Sequence, residues 1–387
     1  MGKLSPLGAL FTSQFLSAFV DNMILFIALG IIKRDAYPEY YLPFVQSTFL
    51  ASYILLSPWV GRFADKEPKV KVLIIGNFVK TIGVLMLLMG SNPALSYGVV
   101  GIGAVIYSPA KYGILPFLTQ GEDQLLRANS SLESYTIVAI LLGSVAGGML
   151  SDVSIGLALV ISLLLYCTSI AINTMIPKNP RNSSITYQNA IGNFCADIRI
   201  LLKNSQSHYS LIGTGSFWLA CAVLRMILFV WVPLTLHITS GTSISMIVAV
   251  TGVGIALGAI ATPYLISVKT YQRTIWFGYA MAGCILAFLT ISSLGVAVLF
   301  LLLIGVMGGI YIVPMNTCLQ QVGHHTVGEG KTIAVQNFVE NIFMFLGVVV
   351  YTVATKNGIT TDISIAGAGI ALLLFVSYMY LYLRRKP

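Results

Sequence analysis

The chain has 387 residues, of which 57% are hydrophobic and 9% charged, with a formal net charge of +9 and a mean hydropathy of +0.87. An ordinary soluble domain is about 45–50% apolar and about 25% charged, so a soluble fold is excluded. The apolar residues run on without alternation, which excludes a transmembrane β-barrel. What remains is an all-α polytopic membrane protein, and at ~20 residues per span plus connections the length holds about twelve helices. The first apolar run, residues 7–32, is too long for a signal-peptide core and has no evident cleavage site, so it reads as a retained first span. Further spans follow at 42–61, 72–90, 95–116, 130–150 and 156–176, and a second set at 209–236, 244–266, 275–293, 294–316, 332–355 and 363–383. Residues 177–208 are the longest polar stretch, giving a division into 1–176, 177–208 and 209–387. Within that stretch Ile191, Phe194, Ile198, Leu201 and Leu202 recur at helical spacing among Asn193, Asp197, Arg199 and Lys203. This pattern predicts a helix lying on the inner membrane face; the alternative is a plain flexible linker.

Charge gives the orientation. Of the 22 Lys and Arg, Lys33, Arg34 and Lys356 fall in outside segments if the N-terminus is cytoplasmic, Lys80, Lys111 and Arg225 fall within spans, and the other sixteen fall inside. Such a bias puts both termini in the cytoplasm, and the excess positive charge then reports topology rather than nucleic-acid binding. Five scattered cysteines without C-x-x-C spacing predict neither disulfides nor a metal centre, and no cofactor is implied.

The halves repeat. Asn22-Met23-Ile24-Leu25-Phe26 matches Arg225-Met226-Ile227-Leu228-Phe229 at an offset of 203, Tyr107-x-Pro109 matches Tyr311-x-x-Pro314, and Glu133 precedes Glu340 by 207. Lys66 and Lys69 after the second span correspond to Lys269 and Arg273 after the eighth. Two six-helix bundles related by a parallel repeat are the halves of a major facilitator fold.

Six ionisable residues lie inside spans: Asp21, Lys80, Lys111, Glu133, Arg225 and Glu340. Each costs about 2.5–3.5 kcal/mol near the bilayer centre on insertion scales, so each should face a cavity or pair with another. One reading is a polar headgroup or coupling-ion site, with Arg225, Lys111 and Lys80 suited to a phosphate and Asp21 and Glu340 to an ammonium group or a proton. The other is a set of static salt bridges, with Lys80 snorkelling to the interface. Adjacent amides favour the first: Asn22 follows Asp21, and Gln336, Asn337 and Asn341 surround Glu340 within about a helical turn.

Gly61-Arg62-Phe63-Ala64-Asp65-Lys66-Glu67-Pro68-Lys69 resembles the major facilitator signature loop. That resemblance implies a gating role for Gly61, Asp65, Lys66 and Lys69, with Asp65 at a helix N-terminus in one conformer. Gly143-x-x-x-Gly147, Gly254-x-x-x-Gly258 and Gly305-x-x-x-Gly309 predict close helix contacts. Pro109, Pro116 and Pro314 should break or kink their spans, leaving Lys111 at an irregular helix end. Gly330-Lys331-Thr332 lacks the upstream glycine of a phosphate-binding loop, and His324-x-x-x-x-Glu329, which resembles an acyltransferase motif with Glu for Asp, sits in a short loop with no domain around it. No catalytic residues are therefore assigned, and a membrane-embedded acyltransferase stands only as the alternative outside transport.

Ser17-Ala18-Phe19-x-Asp21-Asn22, Tyr107-Ser108-Pro109-Ala110-Lys111-Tyr112-Gly113-Ile114-Leu115, Leu303-Ile304-Gly305-Val306-Met307-Gly308-Gly309 and Ala334-Val335-Gln336-Asn337-x-x-Glu340-Asn341 together resemble the bacterial lysophospholipid transporter family. The likeness covers nearly the whole chain and departs most in the central linker and outer loops. It implies a flippase moving lysophosphatidylethanolamine, with lysophosphatidylglycerol as a second candidate, from the outer to the inner leaflet of the bacterial inner membrane. It also implies a functional partner, an acyltransferase coupled to acyl-acyl-carrier-protein synthetase, that restores the second chain. Asp21, Asn22, Lys111, Arg225 and Glu340 carry over as headgroup or gating residues, and a monomer is expected. The alternative within transport is an exporter of small amphipathic drugs.

Overall fold

A computed structural model describes residues 5–120, 122–183, 187–266, 268–327 and 329–385. The side chains of Arg127, Glu133, Lys269, His324, Glu329 and Arg385, and the residues Lys3, Lys386 and Pro387, lie outside what it describes. Among the described residues there are fourteen α-helices and no strand: α1 (Pro6–Arg34), α2 (Tyr41–Lys66), α3 (Lys69–Leu88), α4 (Pro93–Gly113), α5 (Leu115–Leu118), α6 (Glu122–Val153), α7 (Ile155–Asn173), α8 (Ala190–Lys203), α9 (Ser205–Leu236), α10 (Gly241–Leu265), α11 (Thr274–Ala287), α12 (Leu294–His325), α13 (Glu329–Lys356) and α14 (Thr361–Arg385). Eleven of these described helices are long and apolar enough to cross a membrane. The twelfth expected span is α2, whose 26 residues reach about 39 Å at 1.5 Å per residue. It falls short in apolarity, not length, because Gln46, Ser47, Thr48, Ser52, Ser57 and Pro58 dilute it.

Helix starts are written locally. Ser5 accepts from the Gly8 amide with Pro6 in the first turn, Asn92 accepts from the Ala94 and Leu95 amides ahead of Pro93, and Ser154, Asn204, Ser240 and Ser293 cap α7, α9, α10 and α12. Such caps satisfy amides that hydrocarbon cannot solvate.

One expectation needs correction, and another holds at one proline. Gly61–Lys66 is not a loop but the last turns of α2, leaving Glu67 and Pro68 as the whole connection to α3. Pro68 sets that break, since the residue before a proline avoids the helical region. Pro109 and Pro314 do not break their helices: α4 runs on to Gly113 and α12 to His325. The break comes at Ile114, just before the four-residue α5 with Pro116 in its first turn. Lys111 does lie in the last turn of α4.

Packing divides the chain into two compact units, Met1–Tyr37 with Thr48–Phe194, and Pro38–Ser47 with Cys195–Pro387. The boundary falls inside α8, which buries Leu201 and leaves Ile191 and Ile200 exposed. In the first unit α6 packs on α1, and a Cβ at Gly143 or Gly147 would collide with the Phe19 or Met23 carbonyl. In the second, Gly254 and Gly258 of α10 meet the Leu302 and Val306 carbonyls of α12, and Gly305 and Gly309 meet those of Thr251 and Ile255. Backbones this close gain dispersion contact that hydrophobicity cannot supply in lipid. Gly305→Leu should therefore cost about 1–3 kcal/mol through overpacking and lower the thermal midpoint in detergent. Gly295→Leu, on the same helix with nothing within 4 Å of its Cβ, should leave the midpoint unchanged.

Candidate functional site

In the first unit a polar network grows from helical spacing. Ser13, Ser17 and Asp21 stand four residues apart on α1, Asn77 and Lys80 three apart on α3, and Tyr166, Ser169 and Asn173 three and four apart on α7. Each set lies on one helix face. The Lys80 ammonium donates to Asp21 Oδ2 at 2.7 Å and to Ser17 Oγ at 2.8 Å, and the Tyr166 hydroxyl donates to Asp21 Oδ1 at 2.6 Å. Ser17 donates to Asn77 Oδ1 at 2.8 Å, and Asn77 Nδ2 donates to Ser169 Oγ at 2.8 Å. Ser13 lies 2.8 Å from Ser169 Oγ and donates to Asn173 Oδ1 at 2.7 Å.

Lys80 is 1% exposed, and its ammonium also lies 4.9 Å from the Tyr107 ring centroid and 5.8 Å from that of Tyr166. It does not snorkel. Burying the charge away from water is tolerable because the counterion, a hydroxyl and two ring faces replace the lost hydration. Asp21 keeps 18% of its side chain exposed, so the carboxylate is anchored but not sealed in. Asn22 turns away from this network and donates to its own helix at Ala18 O, 2.9 Å. The half-buried Lys111 sits elsewhere in this unit, its ammonium 4.8 Å above the Tyr112 ring.

The second unit holds a smaller cluster. Gln336 Nε2 donates to Asn316 Oδ1 and to Glu340 Oε1, both at 2.8 Å, and Asn341 Nδ2 donates to Asn337 O at 2.7 Å. Glu340 and Asn341 are 7% exposed, while Asn337 and Arg225, on α9, are half-buried. The sequence repeat recurs as geometry: Tyr107 lies 3.4 Å from Ser13 Oγ, and Tyr311 lies 3.1 Å from Ser216 Oγ. The rest of the network does not repeat, because at an offset of 203 Ser17 becomes Ala220, and at 204 Asn77 and Lys80 become Met281 and Cys284.

The signature segment is held by the chain after α7. Asp65 pairs with Lys69 at 2.6 Å, and the same ammonium donates to Ala64 O. In this conformation Asp65 therefore sits at the end of α2 rather than capping a helix N-terminus. Asn179 Oδ1 accepts from the Lys69 amide at 2.7 Å, Lys66 O accepts from the Asn182 amide at 2.9 Å, and the Lys66 ammonium stands 4.9 Å over the Tyr187 ring. Glu67 joins the two stretches of chain, pairing with Lys71 and with Arg181 at 2.9 Å each. The hydrogen bond from Lys71 and the charges of Arg181, Lys71 and Lys66 outweigh burial and hold the Glu67 carboxyl below its ordinary pKa. Gly61 takes no part in these contacts, and a Cβ at that position would meet nothing within 4 Å.

The sequence thus exposes Asp21 and Lys80 without pairing them, and hides Tyr166, Asn77, Ser13, Ser17, Ser169 and Asn173. The available signal is the three-to-four spacing of polar residues on α1, α3 and α7. Glu67, Asn179 and Arg181 read in the sequence as ordinary loop and linker residues.

Removing one member of the buried pair should cost more than removing both. Lys80→Met strands the Asp21 charge and should destabilise by about 3 kcal/mol at most, discounted for the exposure of Asp21. Combining it with Asp21→Asn should restore much of the loss in a thermal-unfolding double-mutant cycle. For Glu67, the lowered folded-state pKa means that the clamp is intact above the ordinary glutamate pKa near ~4.3 and is lost as pH falls through the lower folded value. Spin-label mobility at position 183 should rise in that acid window, and Glu67→Gln should flatten the response.

A sequence profile of the Major Facilitator Superfamily matches residues 10–348. The lysophospholipid transporter LplT of Klebsiella pneumoniae subsp. pneumoniae is 41% identical over 381 residues, covering 98% of this chain and 96% of the relative. That of Yersinia enterocolitica is 41% identical over 354 residues, covering 91% and 87%. Among solved structures, the nucleoside transporter NupG superposes with a TM-score of 0.76 at 14% identity over 97% of this chain and 99% of its own. A bacterial homologue of the human lysosomal transporter Spinster, in an inward-facing and unoccupied conformation, gives 0.72 at 12% identity over 98% and 96%. At these identities the structures establish the fold alone.

Proposed function

Because the chain belongs to the Major Facilitator Superfamily, and within it to the family of the lysophospholipid transporters, we propose that it carries lysophospholipid across the bilayer by alternating access between its two helix bundles. The observation that carries this reading is a partly exposed carboxylate, Asp21, fixed by Lys80 and Tyr166 inside an otherwise apolar bundle. An anchored carboxylate suits the ammonium end of an ethanolamine headgroup, and Glu340, oriented by Gln336, supplies a second. Arg225 and Lys111 suit the phosphate, since a guanidinium grips it with two parallel donors. Lys80 then acts through Asp21, holding its charge and aim, while Asn22, Asn337 and Asn341 supply polar lining.

The rest of the proposal follows the family. The substrate is lysophosphatidylethanolamine, with lysophosphatidylglycerol also accepted, moved from the outer to the inner leaflet of the bacterial inner membrane. Residues 1–176 and 209–387 are the moving halves, joined by a cytoplasmic segment at 177–208, with both termini cytoplasmic. Gly61, Asp65, Lys66 and Lys69 gate the cycle, and the chain after α7 holds that gate through Asn179 and Arg181. An acyltransferase coupled to acyl-acyl-carrier-protein synthetase consumes the product, and the transporter works as a monomer. Transport, not chemistry on the lipid, is the activity.

Spheroplast uptake of labelled lysophosphatidylethanolamine tests this directly. Asp21→Ala, Arg225→Ala and Glu340→Ala should each lower uptake more than about tenfold, the loss of at least ~1.4 kcal/mol of interaction, without loss of protein from the membrane. Wild-type rates in all three would overturn the site, and absent uptake by the unmodified protein would overturn the substrate.

A further inference from the structure

α8 ends at Lys203 and α9 begins at Ser205, so Asn204 alone separates it from a helix long and apolar enough to cross a membrane. The 32 residues of α9 reach about 48 Å at 1.5 Å per residue, against ~30 Å of hydrocarbon. Its polar first turn, residues 205–208, therefore stands at headgroup level. The junction is fixed and not slack. Asn204 Oδ1 accepts from the Gln206 and Ser207 amides at 2.9 and 3.2 Å. Ser207 Oγ donates to Leu201 O at 2.5 Å, and His208 Nδ1 lies 3.2 Å from Leu202 O. With those two carbonyls held, the rotation of α8 about its own axis is set from α9, and so is the face it shows.

That face is apolar with a basic rim. At about 100° per residue the apolar residues of α8 form a stripe, of which one edge, Ala190 and Leu201, is buried. The other edge, Ile191, Leu202 and Cys195, is exposed. Ile200 stands apart, on the face with Asn193. The charges divide in the same sense. Asp197 lies beyond the buried edge, and the exposed Arg199 and Lys203 lie beyond the exposed one. Among the described residues neither cation pairs with a carboxylate. A connector surrounded by water would turn its apolar residues inward, whereas at the headgroup boundary apolar side chains insert and cations meet phosphates.

We propose that α8 binds anionic phospholipid at the membrane face where α9 begins, with Ile191, Leu202 and Cys195 entering the headgroup boundary and Arg199 and Lys203 meeting lipid phosphates. The tether names the occupant: a helix one residue from a span is held at the bilayer surface, where lipid is always in reach. The position of the charges names the headgroup class, since the cations rim the exposed edge and the carboxylate the buried one. This lipid is one the protein rests on and does not carry, so the surface stands apart from the transport reading above.

The test uses the full chain with Cys195 as its one cysteine, spin-labelled there, in nanodiscs of phosphatidylcholine or of phosphatidylglycerol. The fraction of label open to a water-soluble nickel chelate should fall about fivefold or more from the first lipid to the second, the contribution of one basic residue near a charged surface. Oxygen access should rise with it. A label on the far face, in Cys195→Ala with Asn193→Cys, should stay open to nickel in both lipids. Arg199→Gln with Lys203→Gln should erase the difference at Cys195, and Arg199→Lys with Lys203→Arg should keep it. Equal nickel access at Cys195 in the two lipids would overturn the proposal, whether the label is open in both, as on a solvated linker, or shielded in both, as on a face covered by protein. Uptake measured on the same protein keeps the readings apart: uptake with no lipid dependence at Cys195 rejects this surface alone.

Discussion

A charge inside hydrocarbon has to be solvated by protein, and in this molecule that requirement is met chiefly around Asp21 and Lys80. Their 2.7 Å contact draws α1 and α3 together, and Tyr166 brings in α7. Ser17 and Asn77 pass the hydrogen bonding on to Ser169 and Ser13, so a ladder of donors and acceptors crosses the first bundle. Much of the rest of this bundle's described interior is apolar. The groups that make the buried lysine tolerable also fix the partly exposed Asp21 carboxylate.

The second bundle repeats the scaffold and not the charge. Ser216 and Tyr311 keep the hydrogen bond that Ser13 and Tyr107 make, and paired glycines on α10 and α12 set a backbone approach like that of α6 on α1. Where the first bundle has Ser17, Asn77 and Lys80, the second has Ala220, Met281 and Cys284. Its polar groups gather instead on α13, around Gln336 and Glu340. Freed of the buried pair, this bundle can use small residues on α13 and α14 to form an apolar slot.

The signature segment shows how a short motif acquires its meaning from elsewhere in the chain. Asp65 and Lys69 pair along one helix turn, but the amide of Lys69 and the carbonyl of Lys66 are completed by Asn179 and Asn182, more than a hundred residues on. Glu67 ties the same two stretches by charge. The segment leaving the first bundle is therefore part of this segment's structure.

The sequence alone determined the membrane class, the spans, the internal repeat and the ionisable residues within them, because apolar length, charge bias and helical spacing are local or periodic properties. Its resemblance to a transporter family rested on contiguous strings such as Tyr107–Leu115 and Ala334–Asn341. It ended α2 too early, at residue 61 rather than Lys66, and α12 at 316 rather than His325, since where a helix stops depends on neighbours that local sequence does not contain. It also left Lys80 without a partner. Tertiary structure decided that Lys80 meets Asp21, that Tyr166 holds the other carboxylate oxygen, that Asn179 closes the signature segment and that α9, α13 and α14 border an apolar groove. Each of these joins residues tens to more than a hundred positions apart, and such partners are selected by packing geometry, which no spacing along the chain records.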